Sequence, residues 1–229
     1  MSICKTSHEI VIPSTLSADH RKALYAIPCS LISDNIDRLV GTTGLHKYNR
    51  DGKLVGTAFT VKTRPGDNLF VYHAMTLIQP GHVLVVDAGG DLHNAIIGEI
   101  MLRFLEHRGC SGIVINGAIR DVDAIEASAV PCYARGVSHR GPYKSGPGYI
   151  GVPIEIGGQV IEHGDVIVGD ADGIVVFPMN QADMLIAKAQ AKNELEQAMI
   201  AEIKTSEHPA WLYGELEKYG FNLEYKKTT

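Results

Sequence analysis

Apolar positions along the chain follow two periods. Ile32, Ile36 and Leu39 recur at i, i+4 and i+7, the spacing of a helix with one buried stripe. With residues 17–26 they predict two short helices, 17–26 and 30–39, broken at Pro28. Residues 54–63 (LVGTAFTVKT) alternate β-branched residues and predict a strand. Asp67 suits the cap of a helix over 68–78, with Phe70, His73, Ala74 and Leu77 on its stripe and Pro80-Gly81 ending it. The unbroken apolar run from His82 to Asp87 predicts a buried strand. Ala88-Gly89-Gly90 then predicts a sharp turn before a helix over 98–108, whose face is Ile100, Met101, Phe104 and Leu105 and whose stop is Gly109. A strand at 112–116, a turn at Gly117, a helix at 121–129 and a strand at 131–135 complete an alternation that defines an α/β body.

Beyond residue 135 the pattern changes. Residues 136–150 form a Gly/Pro-rich loop. Short strands at 151–156, 159–161, 165–169 and 173–177 follow, separated by Gly157-Gly158, His163-Gly164-Asp165 and Ala171-Asp172-Gly173. A long helix over 180–203 and a last one near 209–219 end the chain. Nothing reads as a repeat or a linker. The expectation is a single domain over 1–229, with N-terminal helices and a C-terminal helical extension.

Composition narrows the classes. The 229 residues carry a net charge of −5, which argues against an electrostatic nucleic-acid binder. No apolar run approaches a membrane span, and MSICKTSHEIVIP lacks the features of a secretory signal. Cys4, Cys29, Cys110 and Cys132 form no C-x-x-C pair or zinc spacing, so reduced thiols in a cytoplasmic protein are expected, Cys110 and Cys132 in or near the core.

Gly146-Pro147-Gly148-Tyr149-Ile150-Gly151 matches G-x-G-x-x-G, but a loop precedes it and a β-type run follows, so the nucleotide reading lacks its context. His93 sits in the glycine-rich turn, where it either meets a ligand or is solvated. The most informative feature is a pair of strand-to-helix turns, Asp87–Asn94 leading to Gly98-Glu99-Ile100-Met101, and Asn116-Gly117-Ala118-Ile119-Arg120-Asp121. Parallel α/β folds bind ligands at such strand ends. The first turn offers backbone N–H groups to an anion. The second offers a guanidinium to a carboxylate and an acidic group to a hard cation such as magnesium. The alternative is plainer: Asp121 caps its helix, Glu99 suits a first turn, and Arg120 makes a surface ion pair.

The stretch GEIM…GCSGIVINGAIRDVDAI, followed by GDADGIVVFP, resembles the class II pyruvate aldolases acting on 4-hydroxy-4-methyl-2-oxoglutarate and 4-carboxy-4-hydroxy-2-oxoadipate, a family that also contains regulators of ribonuclease activity A. The likeness spans roughly residues 30 to 200. It implies a three-layer β/β/α sandwich of the swivelling, phosphohistidine-domain-like kind with mixed sheets, assembled as trimers or hexamers. It implies substrate binding by Gly98, Glu99, Ile100 and Met101 and by Arg120. Asp121 would ligate Mg2+ or Mn2+ directly. Glu99 would act through water, as would Glu194 of a neighbouring subunit, with Glu196 as its alternate. The implied catalytic set is Arg120, Glu99 and Asp121, and the implied reaction is retro-aldol cleavage of a 4-hydroxy-2-oxo diacid to pyruvate, with oxaloacetate decarboxylation through the same enolate. No Schiff-base lysine is required, and Lys62 and Lys144 lie outside both turns in sequence. Asn116 departs from the Asp common in the family and is expected to tune its turn. Groups reading the far end of the substrate are expected on loop 136–150 or from a partner subunit. The partners implied are a small 2-oxo acid and further copies of the chain, with no nucleic acid or membrane. A non-catalytic module that masks a ribonuclease or RNA helicase is the competing expectation.

Overall fold

A computed structural model describes residues 9–38, 41–203, 209 and 211–221. Compact units comprise residues up to Ala189 and from Gln190 onward. In the first unit, α1 (Ala18–Ala26) and α2 (Cys29–Ser33) precede β1 (His46–Lys47) and β2 (Leu54–Thr63). Next come α3 (Leu69–Leu77), β3 (His82–Asp87), β4 (Ala95–Ile97), α4 (Glu99–His107), β5 (Gly112–Ile119), α5 (Val122–Glu126) and β6 (Cys132–Val137). Five short strands follow: β7 (Gly148–Ile150), β8 (Ile154–Ile156), β9 (Gln159–Ile161), β10 (Val166–Asp170) and β11 (Gly173–Phe177). Helix α6 (Ala182–Ile203) starts in this unit; α7 (Leu212–Lys218) belongs to the second.

Nine strands form one mixed sheet: seven run in the order β1-β6-β5-β3-β2-β10-β11, with β4 paired to β5 and β7 to β2. Strands β2, β3, β5 and β6 run parallel; β10 and β11 are antiparallel additions beyond β2. Alternation along each strand sends side chains to two cores. Phe59, Leu84, Val86, Ile113 and Ile115 face a core that includes Val71, Met75, Met101, Leu102 and Leu105 of α3 and α4. Ala58, Val83, Val85, Val114 and Tyr133 face the other way, against Ile154, Ile156 and Ile161 of the separate β8–β9 hairpin. The layers are therefore helix, main sheet and small sheet, as the β/β/α expectation has it. The main sheet curls until it nearly closes: the Tyr133 hydroxyl on β6 donates to the Asp170 carbonyl on β10 at 2.7 Å. A third cluster seats Leu24, Leu31, Ile32 and Leu185 against Val166, Val168 and Phe177.

The elements depart from expectation where local pattern is thin. The helix expected over 30–39 stops at Ser33, and Asp37 and Arg38 adopt positive φ; Leu39 lies outside the described residues. Helix α3 buries Val71, Ala74, Met75 and Ile78, not the stripe of Phe70 and His73. Helix α4 buries Met101, Leu102 and Leu105 and turns Ile100 and Phe104 outward. Gly117 does not turn the chain. Strand β5 runs through it to Ile119 because a residue without Cβ lets Ala88 and the Asp91 carbonyl pack against the strand. The 121–129 helix is only Val122–Glu126. Strand β7 lies inside the expected 136–150 loop, and the expected 151–156 strand shortens to β8. Ser17 accepts from the His20 N–H at 3.1 Å and caps α1, and Gly109 at φ 71° ends α4, the stop expected from the sequence. Cys29, Cys110 and Cys132 are free and buried; Cys4 lies outside the described residues. Burial pushes Cys110 up to about 11 and Cys132 to about 12, so both stay thiols.

Candidate active site

Both strand-to-helix turns sit at one end of the sheet because β4 pairs with β5. Past the end of β3, β4 takes the vacated edge of β5, with Ala95 opposite Ala118 and Ile97 opposite Ile119. The Arg120 N–H continues that pairing, donating to the Ile97 carbonyl at 3.0 Å. Gly98 therefore lies beside Arg120 and Asp121.

Asp121 occupies the N-cap position of α5 but does not cap it with its side chain. Its backbone is left-handed (φ 57°, ψ 47°), and its Oδ2 instead accepts from the Glu99 N–H at the start of α4, at 2.9 Å. The plain reading of Asp121 as its own helix cap is thereby corrected. The Arg120 Nε lies 3.7 Å from the same oxygen, and the two side chains are 41% and 44% exposed. Gly98 is extended, so its role is space: a Cβ there would collide with Asp121 Oδ2 and sit 3.0 Å from Arg120 Cγ and Nε. With Glu99 N–H taken and Leu102 N–H bonded to the Gly98 carbonyl, the N–H groups of Ile100 and Met101 are the first-turn donors left over. No described residue accepts from them.

The other expected groups fall as follows. The Glu99 carboxylate meets Arg103 at 3.2 Å, along its own helix. Glu194 is exposed on α6, within the second unit. His93 is largely solvated and bonded to Asp91 at 2.7 Å. Asn116 braces the Asp87–Gly90 turn: its Nδ2 donates to Asp87 Oδ1 at 2.8 Å, its Oδ1 accepts from Arg135, and its carbonyl accepts from Ala88 and Gly90. An aspartate there would face Asp87 as a second anion. The 146–151 glycine motif contains β7 and opens no helix. A cavity of about 550 Å³ near Lys53 and Ser111 lies by the N-terminal ends of β3 and β5, away from these groups.

Sequence reasoning missed Lys144. A cavity of about 30 Å³ is lined by Asn68, Tyr72, Gly98, Met101, Arg120 and Lys144, so this lysine, distant in sequence, shares the pocket. No periodicity or motif marks it; only its place in the 136–150 loop pointed there.

Fit to a divalent cation can be judged from the donors. Asp121 Oδ1 carries no hydrogen bond from a described residue, and its side chain is open to solvent. Among the described residues no three His, Cys, Asp or Glu side chains gather as a metal cage. One free carboxylate oxygen suits magnesium, which commonly takes one or two protein carboxylates and fills the rest with water and substrate.

Backbone donors at a helix start, a guanidinium and one carboxylate thus meet at the mouth of a mixed sheet, the place where α/β folds bind ligands. The comparisons specify the family. A family model described as RraA-like, Aldolase/RraA, matches residues 29–176, and the chain belongs to that family. It is 42% identical over 173 residues to the "Putative 4-hydroxy-4-methyl-2-oxoglutarate aldolase" of Halalkalibacterium halodurans, covering 75% of this chain and 82% of the relative. A solved structure of an uncharacterized protein from Pseudomonas syringae pv. tomato superposes with a TM-score of 0.76 at 26% identity, covering 85% of this chain and 96% of that one. Streptomyces coelicolor RraAS2, described as an unusual member of the RNase ES inhibitor RraA family, superposes at 0.72 with 24% identity, covering 80% and 96%. No described helix is long and apolar enough to cross a membrane.

Proposed function

We propose that the protein is a metal-dependent lyase that cleaves a 4-hydroxy-2-oxo diacid of the 4-hydroxy-4-methyl-2-oxoglutarate or 4-carboxy-4-hydroxy-2-oxoadipate type and releases pyruvate. Oxaloacetate decarboxylation is a second activity on this reading. The observation that carries it is the convergence of Gly98, Arg120 and Asp121, with the Asp121 carboxylate 2.9 Å from the Glu99 N–H and 3.7 Å from the Arg120 Nε. The names of the aldolase relatives support the reaction class.

Asp121 would hold Mg2+ or Mn2+, which when bound supplies Lewis-acid polarisation of a 2-oxo acid. The chain's own residues do the rest. The Ile100 and Met101 N–H groups bind the substrate carboxylate, favoured by the α4 dipole. Arg120 places a fixed positive charge where negative charge develops on the keto oxygen as the C3–C4 bond breaks. Glu99, with Glu194 of a neighbouring subunit, orients the water that accepts the 4-hydroxyl proton. The assembly is then a trimer or hexamer. The competing reading, a non-catalytic module on a ribonuclease or helicase, draws on neighbours at 24% identity, which speak to fold alone. It leaves the Arg120–Asp121 pair unexplained.

Pyruvate release from 4-hydroxy-4-methyl-2-oxoglutarate tests the proposal. EDTA should abolish it and magnesium restore it. Asp121→Ala should remove both rate and metal response, and Arg120→Ala should lower turnover by about 100-fold or more. Full activity of Asp121→Ala would end the metal role, and a wild-type protein that releases no pyruvate while capturing a ribonuclease would favour the competitor.

A further inference from the structure

Lys144 stands in the site's cavity with its charge uncommitted. Its Nζ lies 5.4 Å from the centre of the Tyr72 ring, and no carboxylate of a described residue pairs with it. The Arg120 guanidinium is likewise without a hydrogen-bonded acceptor among the described residues, its one ion-pair partner being Asp121. Two cations thus line a small cavity whose lining includes no carboxylate, Asp121 standing beside Arg120 at its edge.

The backbone that carries Lys144 is clamped on both sides. Tyr143 donates to the Gly66 carbonyl at 2.8 Å and accepts from the Asn68 N–H at 3.0 Å. Ser145 and Gly146 donate to Asp67 Oδ2 at 2.7 and 3.0 Å. Asp67 is itself fully buried and also bonded by the Leu69 N–H and by Arg64. The clamp fixes the backbone of Lys144 before any ligand arrives, which lowers the entropy lost on binding. A second observation marks the same cavity. Asn68 is 1% exposed and lines it, with Nδ2 tied to the Ile96 carbonyl and Met101 Sδ, while its Oδ1 has no partner among the described residues. A buried acceptor left bare is costly, and a ligand hydroxyl or a water carried in with it relieves that.

We propose that Lys144 binds the second carboxylate of a dianionic substrate, and that Asp67 is the residue that positions it. Arg120 and the α4 start then take the 2-oxo acid end, and the ammonium reads the far end. The inference rests on the retro-aldol reading for its substrate class.

The test compares 4-hydroxy-4-methyl-2-oxoglutarate with 4-hydroxy-4-methyl-2-oxopentanoate, in which a methyl group replaces the second carboxylate. Lys144→Met should cut the diacid-over-monoacid ratio of kcat/KM by about tenfold or more, mainly through KM, the loss expected for one charge-assisted contact. Lys144→Arg should keep most of the preference. Asp67→Asn should lower the ratio with Lys144 still present; if circular dichroism finds that variant unfolded, the Lys144 pair decides alone. An unchanged ratio in Lys144→Met, or a wild type with no diacid preference, overturns the proposal. Calorimetric titration with 2-oxoglutarate and 2-oxopentanoate, in magnesium, reads the same ratio without turnover. If the wild type cleaves neither substrate, the retro-aldol reading fails by itself. A tenfold loss of 2-oxoglutarate preference in Lys144→Met would still support the subsite, and equal affinities would still overturn it.

Discussion

A left-handed backbone at Asp121 costs a residue with a Cβ roughly 1–2 kcal/mol, and capping its own helix does not repay it, since its carboxylate reaches across to Glu99. Strain of that kind is kept where the surroundings fix it and collects at functional sites. Gly98 is the other half of the arrangement, because only a residue without Cβ lets Asp121 Oδ2 and Arg120 come so close. Gly98→Ala should therefore separate stability from activity. The atom in the way is the end of a movable side chain, so the variant should fold and lose under about 1 kcal/mol, in the range of Gly-to-Ala changes at helix caps. Displacing the carboxylate should lower pyruvate release by about 100-fold, the usual effect of a misplacement near 1 Å. A variant with wild-type melting and wild-type turnover would show that this contact is idle. Gly98, Arg120 and Asp121 could be read from the sequence because they stand where predicted strands give way to predicted helices, the place where parallel α/β folds put ligands. Lys144 could not, because its place depends on the Asp67 clamp, which only tertiary structure creates.

Short elements join the turns, and short elements are what apolar periodicity reports worst. Strands β4 and β7 have three residues each, too few for a period to register, yet β4 brings Gly98 to Arg120. The buried runs at 82–87 and from 112 onward were legible because six or more residues must all avoid water. The N-terminal segment depends on a device of similar size. His82 Nδ1 accepts from the Gln79 N–H at 3.1 Å and its Nε2 meets the Pro13 carbonyl at 2.9 Å. His163 Nδ1 accepts from the Thr60 N–H at 3.1 Å and its Nε2 meets the Val11 carbonyl at 2.9 Å. Both rings are thus neutral, each donating from Nε2, and both pack against Phe59, His82 tilted and His163 edge-on. Burial pushes both below the ordinary histidine value. The unfolded chain then binds more protons than the folded one as pH falls through about 6.5, so stability is full above that value and declines below it. Melting temperature should fall between about pH 7 and 5, and amide exchange over residues 9–16 should quicken in the same interval. The double variant His82→Gln, His163→Gln should flatten that slope. A wild-type melting temperature constant from pH 7 to 5 would refute the staple.

At the scale of the whole molecule the site is half open. Arg120 and Asp121 are each more than two-fifths exposed, and the enclosed part, about 30 Å³, is close to the volume of one water molecule. Next to it Ile100 is 77% exposed and Phe104 41%, two of the four apolar residues that the helical period assigned to one face of α4. An apolar margin beside an open polar site suits cover by another copy of the chain, and the proposed contribution of Glu194 from a neighbour makes that cover part of the site. In a trimeric ring each site would take Asp121 from one subunit and Glu194 from the next, a head-to-tail contact. Asp121→Ala and Glu194→Ala chains, each inactive alone, then complement one another. Equal, random mixing puts an intact Asp121 next to an intact Glu194 at about one site in four, so activity should return to about a quarter of wild type. Light scattering should report a trimer or hexamer throughout. A mixture proven to co-assemble but no more active than either parent would place all the acids within one chain, and Glu196→Ala in the same experiment would separate the wrong residue from the wrong arrangement.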